Sequence, residues 1–113
     1  MKREIKFRAW CSTATDEMQY FTLEDVASGQ VMIKPSYYIF MQYTGLKDKN
    51  GKEIYEGDLL EADWPNPSKV EFVNGKYMKS FFDYANDRFV PEIIVTDQDE
   101  VIGNIYENPE LLK

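Results

Sequence analysis

The chain has 113 residues, a length that supports one domain and one hydrophobic core without disulfide or metal staples. Its 43% apolar content fits a globular protein, and aromatics are plentiful: two Trp, eight Tyr and seven Phe. With a single Cys11 and no His, the composition excludes an internal disulfide framework, a multi-Cys zinc site, and the Ser-His-Asp and Cys-His nucleophile pairs. No apolar run reaches the ~20 residues of a membrane span, and no signal segment is read behind Met1-Lys2-Arg3-Glu4. A non-secreted, non-membrane protein is expected. The formal net charge is −7. Residues 1–57 hold eight basic and eight acidic side chains, while residues 58–113 hold five and twelve. Gripping a phosphate backbone needs a basic excess, so direct nucleic-acid binding is disfavoured despite the short cluster Lys2, Arg3, Lys6 and Arg8.

Taken in chain order, Ile5, Phe7 and Ala9 alternate with Lys6 and Arg8, the period of a half-buried strand. Trp10 breaks the polar side and is expected to cap the sheet edge. Residues 11–16 are small and polar, a turn. Alternation resumes through Met18 and Tyr20, so residues 4–21 predict a hairpin. Leu23–Val26 reads as a helical turn or a strand end, and Val31–Ile33 as a short strand. The aromatic run Tyr37–Tyr43 is β-rich and apolar on both faces, which predicts a central strand covered on two sides. Asn50-Gly51 predicts a tight hairpin because both residues tolerate positive φ. Gly45 and Gly57 bracket this unit and suit a bulge or a backbone bend.

A strand over Asp58–Trp64 follows, ended by Pro65 and Pro67. A second two-residue turn, Asn74-Gly75, joins strands over residues 69–73 and 76–82. Residues 83–88 form a polar loop. Glu92–Val95 and Val101–Tyr106 are the last strands, separated by the acidic turn 97–100. Asn108-Pro109-Glu110 then starts a short helical turn, with Asn108 as N-cap and Leu111 and Leu112 over an open end of the core. The expected fold is one domain over residues 1–113, all-β and mainly antiparallel. It mixes barrel and sandwich features and ends in a short C-terminal helical turn.

Three segments carry a resemblance. They are Arg3-Glu-Ile-Lys-Phe-Arg-Ala-Trp10, then Met41-Gln-Tyr-Thr-Gly-Leu-Lys-Asp-Lys-Asn-Gly-Lys-Glu-Ile-Tyr-Glu-Gly-Asp58, then Glu100-Val-Ile-Gly-Asn-Ile-Tyr-Glu-Asn-Pro-Glu-Leu-Leu112. On these the chain resembles the YopX-like family of bacteriophage and prophage proteins. The resemblance implies a mainly β fold, a bacterial cytoplasmic location and a tendency to homo-oligomerise. It implies no catalytic residue, cofactor or metal.

The candidate chemistry is thin. Asp48-Lys-Asn-Gly-Lys-Glu53 superficially matches a calcium loop. With Gly51 at the sixth position, however, the first and twelfth fall on Leu46 and Gly57 instead of carboxylates. Glu53, Glu56 and Asp58 form an acidic group that could serve a metal-dependent nuclease built only of Asp and Glu. Cys11 has no adjacent base and reads as a small apolar residue. The glycines at 45, 51 and 57 lack the following helix of a phosphate loop. Three functions are therefore weighed. The leading one is a non-enzymatic, self-associating phage accessory protein with Tyr37, Tyr38, Phe40, Tyr43, Tyr55 and Trp64 as its interface and a host or phage protein as a further partner. The second is an acidic inhibitor or DNA mimic that presents Asp58, Glu61, Asp63, Asp97, Asp99 and Glu100 to a basic host protein. The third is the nuclease.

Overall fold

The computed structural model describes residues 4–11, 17–29, 38–62 and 67–112. Of the expected turn over residues 11–16, Cys11 instead ends the first strand, Lys6–Cys11, and residues 12–16 lie outside the described residues, as does the expected strand Val31–Ile33. A first antiparallel sheet is built from β1 (Lys6–Cys11), β2 (Glu17–Thr22), β3 (Tyr38–Lys47) and β4 (Glu53–Tyr55), in the order β2-β1-β3-β4. A second comprises β5 (Asp58–Leu60), β6 (Ser68–Val73), β7 (Lys76–Asp83), β8 (Arg88–Ile94) and β9 (Val101–Asn104), in the order β8-β7-β6-β5-β9. Every strand pair is antiparallel. The described residues form two open sheets and close no barrel.

The predicted first hairpin forms, with Lys6 opposite Thr22 and Cys11 opposite Glu17. Leu23–Ala27 resolves as one turn of helix, α1. Thr22 decides this: its hydroxyl accepts from the Asp25 N–H while the Asp25 carboxylate accepts from the Thr22 N–H, a reciprocal cap. Asn74-Gly75 makes the predicted two-residue turn, with φ of 51° and 81° and Val73 opposite Lys76.

Asn50-Gly51 sits in a hairpin loop of another kind. Only Gly51 takes positive φ, and the loop runs from Asp48 to Lys52. Its organiser is the buried Asp48 carboxylate. One oxygen accepts the N–H groups of Asn50 (2.8 Å) and Lys52 (2.9 Å); the other accepts the N–H of Val101 (2.9 Å) in β9. The residue suspected of calcium ligation thus ties the first sheet's hairpin to the second sheet.

Five other expectations are corrected. β3 is flanked by β1 and β4, yet its adjacent residues Ile39 and Phe40, which point to opposite faces, are both exposed, so this end of the strand is not covered on two sides. Trp10 caps no edge: β1 is an inner strand, and the indole stacks at 5.8 Å on Tyr106, in the turn after β9. β5 ends at Leu60, short of the expected Trp64, and Asp63 and Trp64 lie outside the described residues. β8 begins at Arg88 and runs through Pro91, which an edge strand tolerates because its outer side needs no N–H donor. At the C-terminus a 3-10 turn spans Pro109–Leu112. Asn108 precedes it, but its side-chain oxygen accepts from the Asn104 N–H (3.2 Å) instead of capping the turn. The core is Ile54, Leu60, Val70, Val95 and Val101, joined by Leu46 and Tyr77. No described helix is long and apolar enough to cross a membrane.

Burial works to raise the Asp48 pKa, but its three backbone donors prevail and hold it below the usual carboxylate value. A depressed folded-state pKa gives stability that is present above the unfolded value, about 3.9, and lost as pH falls through the folded one. Asp48→Asn turns one acceptor into a donor aimed at an N–H. It should cost about 1.5–3 kcal/mol at neutral pH in urea denaturation, and the gap from the native chain should narrow below about pH 4.

Candidate functional site

The two sheets meet at a charged joint. Arg8 of β1 and Asp58 of β5 are both buried, and the guanidinium lies 2.8 Å from the Asp58 carboxylate. The same Arg8 nitrogen donates to the Glu56 carbonyl (2.9 Å), and its guanidinium packs over the Tyr55 ring at 4.9 Å. The second Asp58 oxygen accepts from the Tyr55 N–H at 2.7 Å. Burial pushes the Asp58 carboxyl above its ordinary value, against the opposing pull of Arg8 and the Tyr55 N–H. Between the partners the chain turns at Gly57, with φ of 82°. The left-handed backbone there favours glycine, and a Cβ would in addition stand 2.9 Å from the Met41 sulfur, which would have to shift. Gly57 also bonds both ways into the second sheet, donating to the Val70 carbonyl and accepting from the Ile105 N–H.

Above this joint lies a cleft of about 260 Å³ between the sheets. Ile39, Phe40 and Met41 of β3 form one wall, Val70 and Phe72 of β6 the other, with Gly57 between them. Ile39, Phe40 and Phe72 are 43%, 37% and 53% exposed. A second hollow, wholly apolar, lies among Phe7, Phe21, Val26 and Phe40. Beyond the cleft, Ile93 and Ile94 of edge strand β8 are 54% and 52% exposed.

The predicted interface residues divide. Phe40 is exposed, and Tyr38 is half-buried with its ring 6.1 Å from that of Phe40. Tyr43 and Tyr55 are interior, contrary to expectation. Their rings pack at 5.4 Å, Lys6 lies over Tyr43, and Tyr20 meets Tyr55 edge-on. Burial raises the Tyr55 phenol well above its ordinary pKa. Tyr37 and Trp64 fall outside the described residues.

The predicted acidic face divides as well. Asp58 is buried against Arg8 and presents no carboxylate to a partner. Asp99 is bonded to Lys79 (2.9 Å) and accepts the Thr96 N–H, and Glu100 pairs with Lys49 (3.1 Å). Glu61 and Asp97 are exposed, and Asp63 lies outside the described residues. The suspected nuclease trio is spent on structure. Glu53 pairs with Lys6, Glu56 accepts the Gln42 N–H (2.7 Å), and Asp58 holds Arg8.

Sequence reasoning missed Phe72, Ile93 and Ile94. Pro91 inside an apolar run was the available signal for an edge strand at β8.

These observations define an all-β domain of two sheets clasped at a buried ion pair, with aromatic side chains exposed along its cleft. The sequence profile of the family described as YopX protein matches residues 3–113, and the chain belongs to that family. Among solved structures it is similar to protein EF1440 from Enterococcus faecalis, at 31% identity over 96% of this chain and 98% of that one, with a TM-score of 0.44. No curated protein matches.

Removing one member of a buried ion pair strands the other charge, at a cost of about 3–5 kcal/mol. Arg8→Met and Asp58→Leu should each lower stability by about that much in denaturant titrations. The combined variant should be more stable than either single one. Losses that simply add would mean that the two side chains are not coupled.

Proposed function

We propose that this protein is a non-enzymatic, self-associating interaction module, a phage- or prophage-encoded accessory protein acting in the cytoplasm of a bacterial host. Membership of the YopX family is compatible with that origin. The observation that carries the reading is the exposure of large apolar side chains on strands: Ile39 and Phe40 on β3, Phe72 on β6, Ile93 and Ile94 on β8. Such side chains at sheet edges and cleft rims gain by being covered, and a second copy is the partner always at hand.

The engagement of Glu53, Glu56 and Asp58 with Lys6, Gln42 and Arg8 supports the non-enzymatic side of the reading. Metal binding by the trio would have to break these bonds, among them the Arg8–Asp58 pair that clasps the sheets. The acidic-mimic alternative draws little support. Lys79 and Lys49 offset Asp99 and Glu100, and Asp58 is interior.

Light scattering over about 1–200 μM should give a mass that is a multiple of 13.3 kDa and that falls on dilution. Ile93→Lys with Ile94→Lys should shift the midpoint of that dissociation upward by about tenfold or more. A 13.3 kDa species at every concentration would overturn self-association.

A further inference from the structure

Two half-paired strand edges face each other across the cleft. On β3, the Gln42 carbonyl accepts from the Glu56 N–H (3.0 Å) and the Gln42 N–H donates to the Glu56 side chain. Gln42 therefore turns its backbone polar groups away from β1. Strand backbones alternate in this respect, so Phe40, two residues earlier, turns its N–H and C=O the same way. β4 pairs with β3 only at Tyr43 and Lys47, so no described strand takes up the edge at Phe40.

β6 repeats the arrangement. The Val70 carbonyl accepts from the Gly57 N–H (2.9 Å), so Val70 points away from β7, and Phe72 does likewise by alternation. The tight turn that pairs Val73 with Lys76 sets the same phase independently. β5 pairs with β6 only at Ser68 and Lys69, so the edge at Phe72 is also untaken by any described strand. Phe40 and Phe72 thus each bring an N–H donor and a C=O acceptor to the same cleft, beside the exposed side chains of Ile39 and Phe72.

The cleft is selective in size and charge. At about 260 Å³ it falls below the range of small-molecule pockets, about 300–1,000 Å³, and suits the side chains of a single strand. Its lining carries the carboxylates of Glu56 and Glu71 against one ammonium, Lys69. That ammonium is committed, 3.2 Å from Glu71 and 3.9 Å from the centre of the Phe89 ring. The lining is net negative.

We propose that the cleft is a strand-accepting groove. Its occupant is an extended, apolar segment of another protein carrying a Lys or Arg, hydrogen-bonded to the backbone edges at Phe40 and Phe72. The basic side chain meets the Glu56 and Glu71 carboxylates, each of which holds its present partner, the Gln42 N–H or Lys69, through one oxygen, and the apolar ones cover the exposed side chain of Phe72. This rests on the reading of the protein as an interaction module and names the partner that its cleft fits.

The test is an amide NMR titration of the full chain with the probe acetyl-Thr-Val-Lys-Val-Thr-Ile-amide, run on the native protein and on the Ile93→Lys, Ile94→Lys chain. Saturable shifts at the Phe40 and Phe72 amides are expected. A probe with glutamate in place of lysine should bind about tenfold more weakly. Phe72→Ser, at an exposed position, should weaken binding by about tenfold, and Tyr84→Ser, at an exposed position away from the cleft, should leave it unchanged. Silence at Phe40 and Phe72 in both chains at millimolar probe, or shifts confined to β2 or β8, would overturn the groove. The mass measurement reports on self-association separately, so a monomer that binds the probe refutes that reading and supports this one.

Discussion

The fold depends on a cation and an anion removed from water at the place where two sheets cross. Neither Arg8 nor Asp58 is tolerable alone in that position, since an uncompensated buried charge is among the costliest defects a small protein can carry. Each therefore requires the other, and through them β1 requires β5. The main chain completes the joint: Arg8 reaches the Glu56 carbonyl, Asp58 receives the Tyr55 N–H, and Gly57 links onward to β6 and to the turn after β9. The β4–β5 turn is thus the hinge of the architecture. The Asp48 carboxylate repeats the device at smaller scale, tying the hairpin of the first sheet to β9.

This way of joining sheets has a structural consequence. Where the turn at Glu56-Gly57 bonds to β3 and β6, it replaces a strand neighbour with a short stretch of loop. Beyond it, neither β3 nor β6 has a described partner on that side. The clasp that stabilises the domain is therefore also what leaves two edges without a described strand partner and a cleft between them. Phe40 and Phe72 both line that cleft and both are exposed, so backbone polarity and apolar surface coincide there. That coincidence is the usual property of a surface that binds extended chain, and it links the construction of the fold to the function proposed for it.

Local signals were legible where one residue's chemistry decides a local geometry. The alternation of Ile5, Phe7 and Ala9 marked β1, and Asn74-Gly75 marked a turn that needs two left-handed residues. Gly57 marked a bend. The Asn50-Gly51 loop was misread because Asp48, outside the dipeptide, reorganises it with three backbone bonds, one of them to a residue far along the chain. The same reason explains the site. Tyr43 and Tyr55 have the composition of interface anchors, but Lys6, Arg8 and Tyr20 close over them from other strands. Asp58 looked like a surface carboxylate until Arg8, fifty positions away, was placed beside it.

By itself the sequence determined the class of fold, the family, the Asn74-Gly75 turn, the bend at Gly57 and the lack of any histidine chemistry, because those follow from residue type and near-neighbour spacing. Tertiary structure alone decided which aromatics are core and which are surface, and which carboxylates are spent on lysine, arginine and backbone. It also decided where two strands run out of partners. Those outcomes turn on contacts between residues tens of positions apart, and no local pattern encodes which distant side chain will arrive to bury, neutralise or leave open a given group.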